Sequence, residues 1–134
     1  MKKIRIEFYP EFKMSPLSFW VHKNLDGEAW IYATKFEPEL PPPVPGKGYP
    51  MLIVSVLGME IFFSSVEEIE HFLDVFQQKN MPTSLKLSKL RSENSGPNQH
   101  WLSRFPSHLK SWSKRQKIIP VVQQGLQKFK DLYN

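Results

Sequence analysis

Between residues 101 and 117 the side chains of Trp101, Arg104, His108, Lys110, Trp112, Lys114, Arg115 and Lys117 follow one another with no acid among them. Lysine and arginine neutralise phosphates, and this attraction supplies most sequence-independent affinity for nucleic acid. Aromatic rings among the cations can stack on unpaired bases, with a cation–π contribution from arginine. Arg104, Lys110, Lys114, Arg115 and Lys117 are therefore the candidate phosphate contacts, and Trp112 the candidate stacking platform. Lys86, Lys89 and Arg91 extend the basic run upstream. The competing reading is burial. Tryptophan is large and usually enters a core, and Trp101, Leu102 and Phe105 are spaced like a buried helical stripe. The cations would then cover the core edge with their stems.

Other chemistry is thinly represented. The chain has no cysteine, which excludes disulfides and thiolate metal sites. It has no Gly-x-Ser-x-Gly elbow, no His-Glu-x-x-His and no glycine-rich phosphate cradle. His71 and Asp74 are one helical turn apart, with Glu67 and Glu70 adjacent. A metal would need ligands from elsewhere, so a solvated polar helix face is the reading preferred. No pair of carboxylates is singled out by spacing. The sequence implies no catalytic residue, no cofactor and no metal.

The surrounding chain carries a charge gradient. Of 134 residues, those from 1 to 78 hold seven basic and eleven acidic side chains, a net −4, and those from 79 to 134 hold eleven and two, a net +9. Such asymmetry points to an anionic partner for the C-terminal half. No apolar stretch is long enough to span a bilayer, and no apolar run follows the basic N-terminus as a signal peptide would require. A soluble, cytoplasmic protein without a membrane partner is expected.

The elements that must position these residues are read from periodicity and turn chemistry. Alternation over residues 3–8 predicts a strand. A second strand is expected at 17–22, returning through Asn24-Leu25-Asp26-Gly27 as a hairpin to a third at 28–36. Residues 37–50, six of them proline, form a connector or a polyproline II ligand; the connector is preferred. Strands at 51–57 and 59–63 form another hairpin. Ser64 or Ser65 with Glu67 or Glu68 fits a capping box that opens a helix running to about residue 79. Shorter helices are expected at 83–90 and 99–105. A last helix begins near Ser111 or Ser113, is kinked or restarted at Pro120, and carries the stripe Ile118, Val122, Leu126, Phe129 and Tyr133.

Strands followed by helices argue for an α+β fold. The expectation is one domain, residues 1–134. A β-rich half (1–63) builds one antiparallel sheet of about five strands, and a helical half (64–134) packs on one face. The function expected is a non-enzymatic binding module whose basic C-terminal half contacts an anionic partner, nucleic acid first. The alternative is a protein–protein interaction or accessory domain that uses a sheet edge, the proline-rich loop or self-association.

Overall fold

The computed structural model describes residues 2–24, 35–79 and 105–133. The elements in chain order are β1 (Lys3–Tyr9), α1 (Ser18–Val21), β2 (Lys23–Asn24), β3 (Phe36–Glu37), β4 (Tyr49–Val56), β5 (Met59–Phe63), α2 (Val66–Phe76), a 3₁₀ turn (Ser107–Leu109) and α3 (Trp112–Asp131). The fold is α+β, with a three-stranded antiparallel sheet ordered β1-β4-β5 and helices following it. The five expected strands do not form one sheet: β2 and β3 make a separate two-stranded ladder, pairing Lys23 with Glu37 and Asn24 with Phe36. The strand expected at 17–22 is helix α1 instead. Its four residues are held by the Ser15–Leu17 turn, whose carbonyls accept from Ser18, Trp20 and Val21. Most of the strand expected at 28–36, and the helices expected at 83–90 and 99–105, fall outside the described residues.

The register of the sheet shows which backbone groups remain open. Leu57 and Gly58 both have positive φ, 51° and 79°, as a two-residue hairpin loop of the primed kind requires. Val56 and Met59 close that loop as a hydrogen-bonded pair, and the pairing alternates from there. Val54 and Leu52 thus direct their backbone groups to β5, while Ser55, Ile53 and Met51 direct theirs to Lys3, Arg5 and Glu7. Pro50 falls where an N–H would point beyond the last β5 partner, Phe63, so its missing donor removes no ladder bond. The outer edges are then the backbone groups of Ile4, Ile6 and Phe8 on β1 and of Glu60 and Phe62 on β5.

Side chains alternate accordingly. Ile4 and Ile6, then Leu52, Val54 and Val56, then Ile61 and Phe63, face a core shared with Ile69, Phe72 and Phe76 of α2 and Ile118, Val122 and Phe129 of α3. Phe72 stacks edge-on against Phe63 at 5.3 Å and tilted against Phe76 at 4.2 Å. On the other face Arg5 reaches across the central strand to Glu60 at 2.9 Å. Ile53, opposite Arg5 on the central strand, is 1% exposed. No helix among the described residues is long and apolar enough to cross a membrane.

The proline-rich connector is pinned at several points. Pro45 and Gly46 (φ 77°) occupy the middle of a turn that Lys47 closes onto the Val44 carbonyl at 3.0 Å. Val44 and Gly48 exchange two further hydrogen bonds, and Val44 is buried. Tyr133, at the far end of the chain, donates to the Pro42 carbonyl at 2.9 Å.

Helix α3 runs unbroken through Pro120, which lies on its exposed side. The missing N–H therefore affects only the solvent-facing ladder. Ser111 is its N-cap, accepting from the Lys114 N–H at 3.4 Å. Close approach to β4 is permitted by Gly125, where a Cβ would lie 2.8 Å from Leu52 Cδ2. Leu52 is fully buried. Gly125→Val is expected to lower stability by about 1–3 kcal/mol through overpacking, seen as a lower urea midpoint with an unchanged slope.

Candidate functional site

Three lysines of α3 share a flank. At 3.6 residues per turn, Lys114, Lys117 and Lys128 fall within about 60° of one another around the helix axis. Lys130 lies on the other flank and faces Glu70 of α2 at 3.8 Å. Among the described residues no acid forms an ion pair with Lys114, Lys117 or Lys128. The flank lies away from α2, because α2 packs on the side bearing Arg115 and Lys130. Lys128 is the member that reading the 101–117 run alone misses. Its signal is the spacing of eleven from Lys117, close to three full turns.

Arg115, singled out with these lysines in the sequence, is turned inward and is only 4% exposed. Its Nε donates to the Lys110 carbonyl at 2.9 Å. One terminal nitrogen donates to the carbonyls of Phe76, at 3.1 Å, and Gln78, and the other to that of Lys79 at 3.1 Å. The Phe76 carbonyl is one that the helix end leaves without an intrahelical partner, those of Gln78 and Lys79 belong to the chain just beyond the cap, and the positive guanidinium meets the negative end of the α2 dipole. Trp112 is half-buried, with its ring 5.0 Å from the Arg115 guanidinium carbon. It sits about 140–160° around the helix from the three lysines. Lys110 is half-buried and its carbonyl is held by Arg115. Arg104 and Trp101 lie outside the described residues.

A second polar group was not legible in the sequence. Glu68, on the first turn of α2, is fully buried. Its Oε1 accepts from the Ser64 N–H at 2.9 Å and from the Ser15 hydroxyl, and its Oε2 accepts from the Ser18 hydroxyl at 2.8 Å. The Ser65–Glu68 capping pair is half formed: Ser65 Oγ accepts from the Glu68 N–H at 3.2 Å, but the carboxylate reaches the N–H of Ser64, not that of Ser65. His22 completes the group. Its Nδ1 lies 2.8 Å from the Pro38 carbonyl, which only accepts, so Nδ1 carries a proton. Its Nε2 lies 2.7 Å from Ser65 Oγ and 3.4 Å from Glu68 Oε2.

Serine, histidine and glutamate together raise the question of nucleophilic catalysis, and the geometry answers it. In a relay the hydroxyl and the carboxylate bind opposite nitrogens of the imidazole. Here both meet Nε2, and Nδ1 is held by a main-chain carbonyl. Ser15, Ser18, His22, Ser64, Ser65 and Glu68 are all between 0% and 5% exposed. The group is a structural tie between α1, the connector and the head of α2. The acids expected on the α2 face also fail to converge: among the described residues no three His, Asp or Glu side chains approach as metal ligands.

The knot makes stability depend on pH. Burial lowers the pKa of His22, but its contacts with Glu68 and the Pro38 carbonyl outweigh this and leave it raised from 6.5. A raised folded-state pKa gives stability that is complete below the ordinary histidine value and is lost as pH climbs through the raised one. His71 acts in the opposite sense, since burial lowers its pKa. The informative quantity is therefore the stability of wild type minus that of His22→Gln, which is expected to shrink between pH 6 and pH 8. A difference that is flat or growing in urea titrations would contradict the assignment. Arg115→Met keeps the packing of the stem and removes the guanidinium donors to Phe76, Gln78 and Lys79. It is expected to cost about 2–4 kcal/mol, read as a lower thermal and urea midpoint.

The chain matches no protein-family model, no curated protein and no solved structure.

Proposed function

We propose that this protein is a non-enzymatic binding module whose C-terminal helix contacts an anionic partner, with nucleic acid as the class favoured. The observation that carries this reading is the lysine flank of α3. Lys114, Lys117 and Lys128 stand on one side of a single helix, without an ion-pair partner among the described residues. Arg115 and Trp112 act inside the fold as cap and support, so their part in binding is to hold the helix in place. Lys110, at the end of the Ser107–Leu109 turn, and Arg104 belong to the proposal on the sequence alone.

A second reading, an interaction module for another protein, is favoured by the open strand edges. A groove of about 320 Å³ runs beside the outer edge of β5, lined by Leu17, Ile61, Phe62, Phe72, Phe105 and neighbouring residues. Sizing chromatography over a range of concentrations tests its simplest form, self-association.

Labelled oligonucleotides, single-stranded and duplex, titrated at 50 and 200 mM salt test the first reading. Three phosphate contacts imply a fall in duplex affinity of about 40-fold over that range. The triple variant Lys114→Ala, Lys117→Ala, Lys128→Ala should bind at least 10-fold more weakly at the lower salt, with an unchanged thermal midpoint. Affinity indifferent to salt, or equal in the triple variant, would remove the proposal.

A further inference from the structure

We infer that the lysine flank of α3 is built for the backbone of double-stranded nucleic acid and makes no use of unpaired bases. The inference rests on the reading above and adds which form of polyanion fits. Residues 114–128 of one continuous helix extend over about 21 Å at 1.5 Å per residue. The row ends in Lys114 and Lys128, with Lys117 and the exposed Gln124 between them. Gln124 points within about 40° of Lys128 and offers an amide donor to a phosphate oxygen. Val121, the remaining residue of that flank, is 3% exposed and packs in the core.

Among the described residues of α3 no aromatic ring stands on this flank. Single-strand binders combine cations with rings on which bases stack. Trp112, at the N-terminus of α3, lies about 140–160° around the helix from the lysines and carries the Arg115 guanidinium at 5.0 Å. A single strand would therefore gain only charge contacts here. A duplex presents one charge per about 1.7 Å of axis against about 3.4 Å for one strand, so the row meets roughly twice the charge over about six base pairs. Lysine is a point charge on a flexible stem and does not read base edges as a bidentate fork would, so the contact is indifferent to sequence.

The test compares a labelled duplex of twelve base pairs with each of its strands, and with a duplex of scrambled sequence, at 50 mM salt. The duplex should bind at least five-fold more tightly than either strand, and the two duplexes within three-fold of each other. Gln124→Glu, at an exposed helix position, should weaken duplex binding at least five-fold without shifting the thermal midpoint. Trp112→Phe, with the fold verified by the same midpoint, should bind within two-fold of wild type. A single strand that binds as tightly as the duplex overturns the inference and leaves the polyanion reading standing, as does a five-fold loss in Trp112→Phe or none in Gln124→Glu. Absence of binding to every probe at 50 mM salt overturns both.

Discussion

Helix α2 is held at each end by a buried charge of the sign that its dipole calls for. At the head, where the backbone N–H groups are unpaired, Glu68 is buried among Ser15, Ser18, Ser64 and His22. At the tail, Arg115 donates to the Phe76 carbonyl at the helix end and to the Gln78 and Lys79 carbonyls just beyond it. Either charge alone in an apolar interior would be strongly unfavourable. Each is tolerated because its hydrogen-bonding capacity is filled: no buried side-chain nitrogen or oxygen among the described residues lacks a partner.

These two ends fix much of the rest. The Glu68 group holds α1 and the Pro38 carbonyl against α2, so a loop and the proline-rich connector take their positions from one carboxylate. Arg115 belongs to α3, so the contact that finishes α2 also sets where α3 begins. With Arg115 at the tail of α2 and Lys130 opposite Glu70 farther back, the two helices run antiparallel. Gly125 then lets α3 settle onto Leu52. The rotation of α3 about its own axis follows from these contacts, and with it the direction in which Lys114, Lys117 and Lys128 point.

The distribution of chemistry follows the same logic. His22, with Ser65 and Glu68 both on its Nε2, is sealed in the interior and ties elements together. The residues with binding potential are those that the packing leaves outside. Within one basic run, packing separates Arg115 from its lysine neighbours, because a planar guanidinium with several donors suits a cluster of helix-end carbonyls and an ammonium does not. A cation used as a cap is withdrawn from any partner, and the proposed contact is left to the cations that the packing does not use.

Local patterns determined much of this protein in advance. Alternation over residues 3–8, the β4–β5 hairpin, the α2 start at Ser65 and the α3 start at Ser111 were legible because each depends on neighbours within a few positions. The Ser18–Val21 helix looks like a strand in the sequence because a four-residue segment has too little periodicity, and its turn is set by Ser15 and Glu68. The gathering of Ser15, His22 and Glu68 joins residues 46 to 53 positions apart, and no spacing rule reaches so far. Likewise the sequence determined that the C-terminal half is basic, since composition is a property of the chain. Which cations face water was decided only by tertiary structure, because a side chain's exposure depends on the elements packed around it.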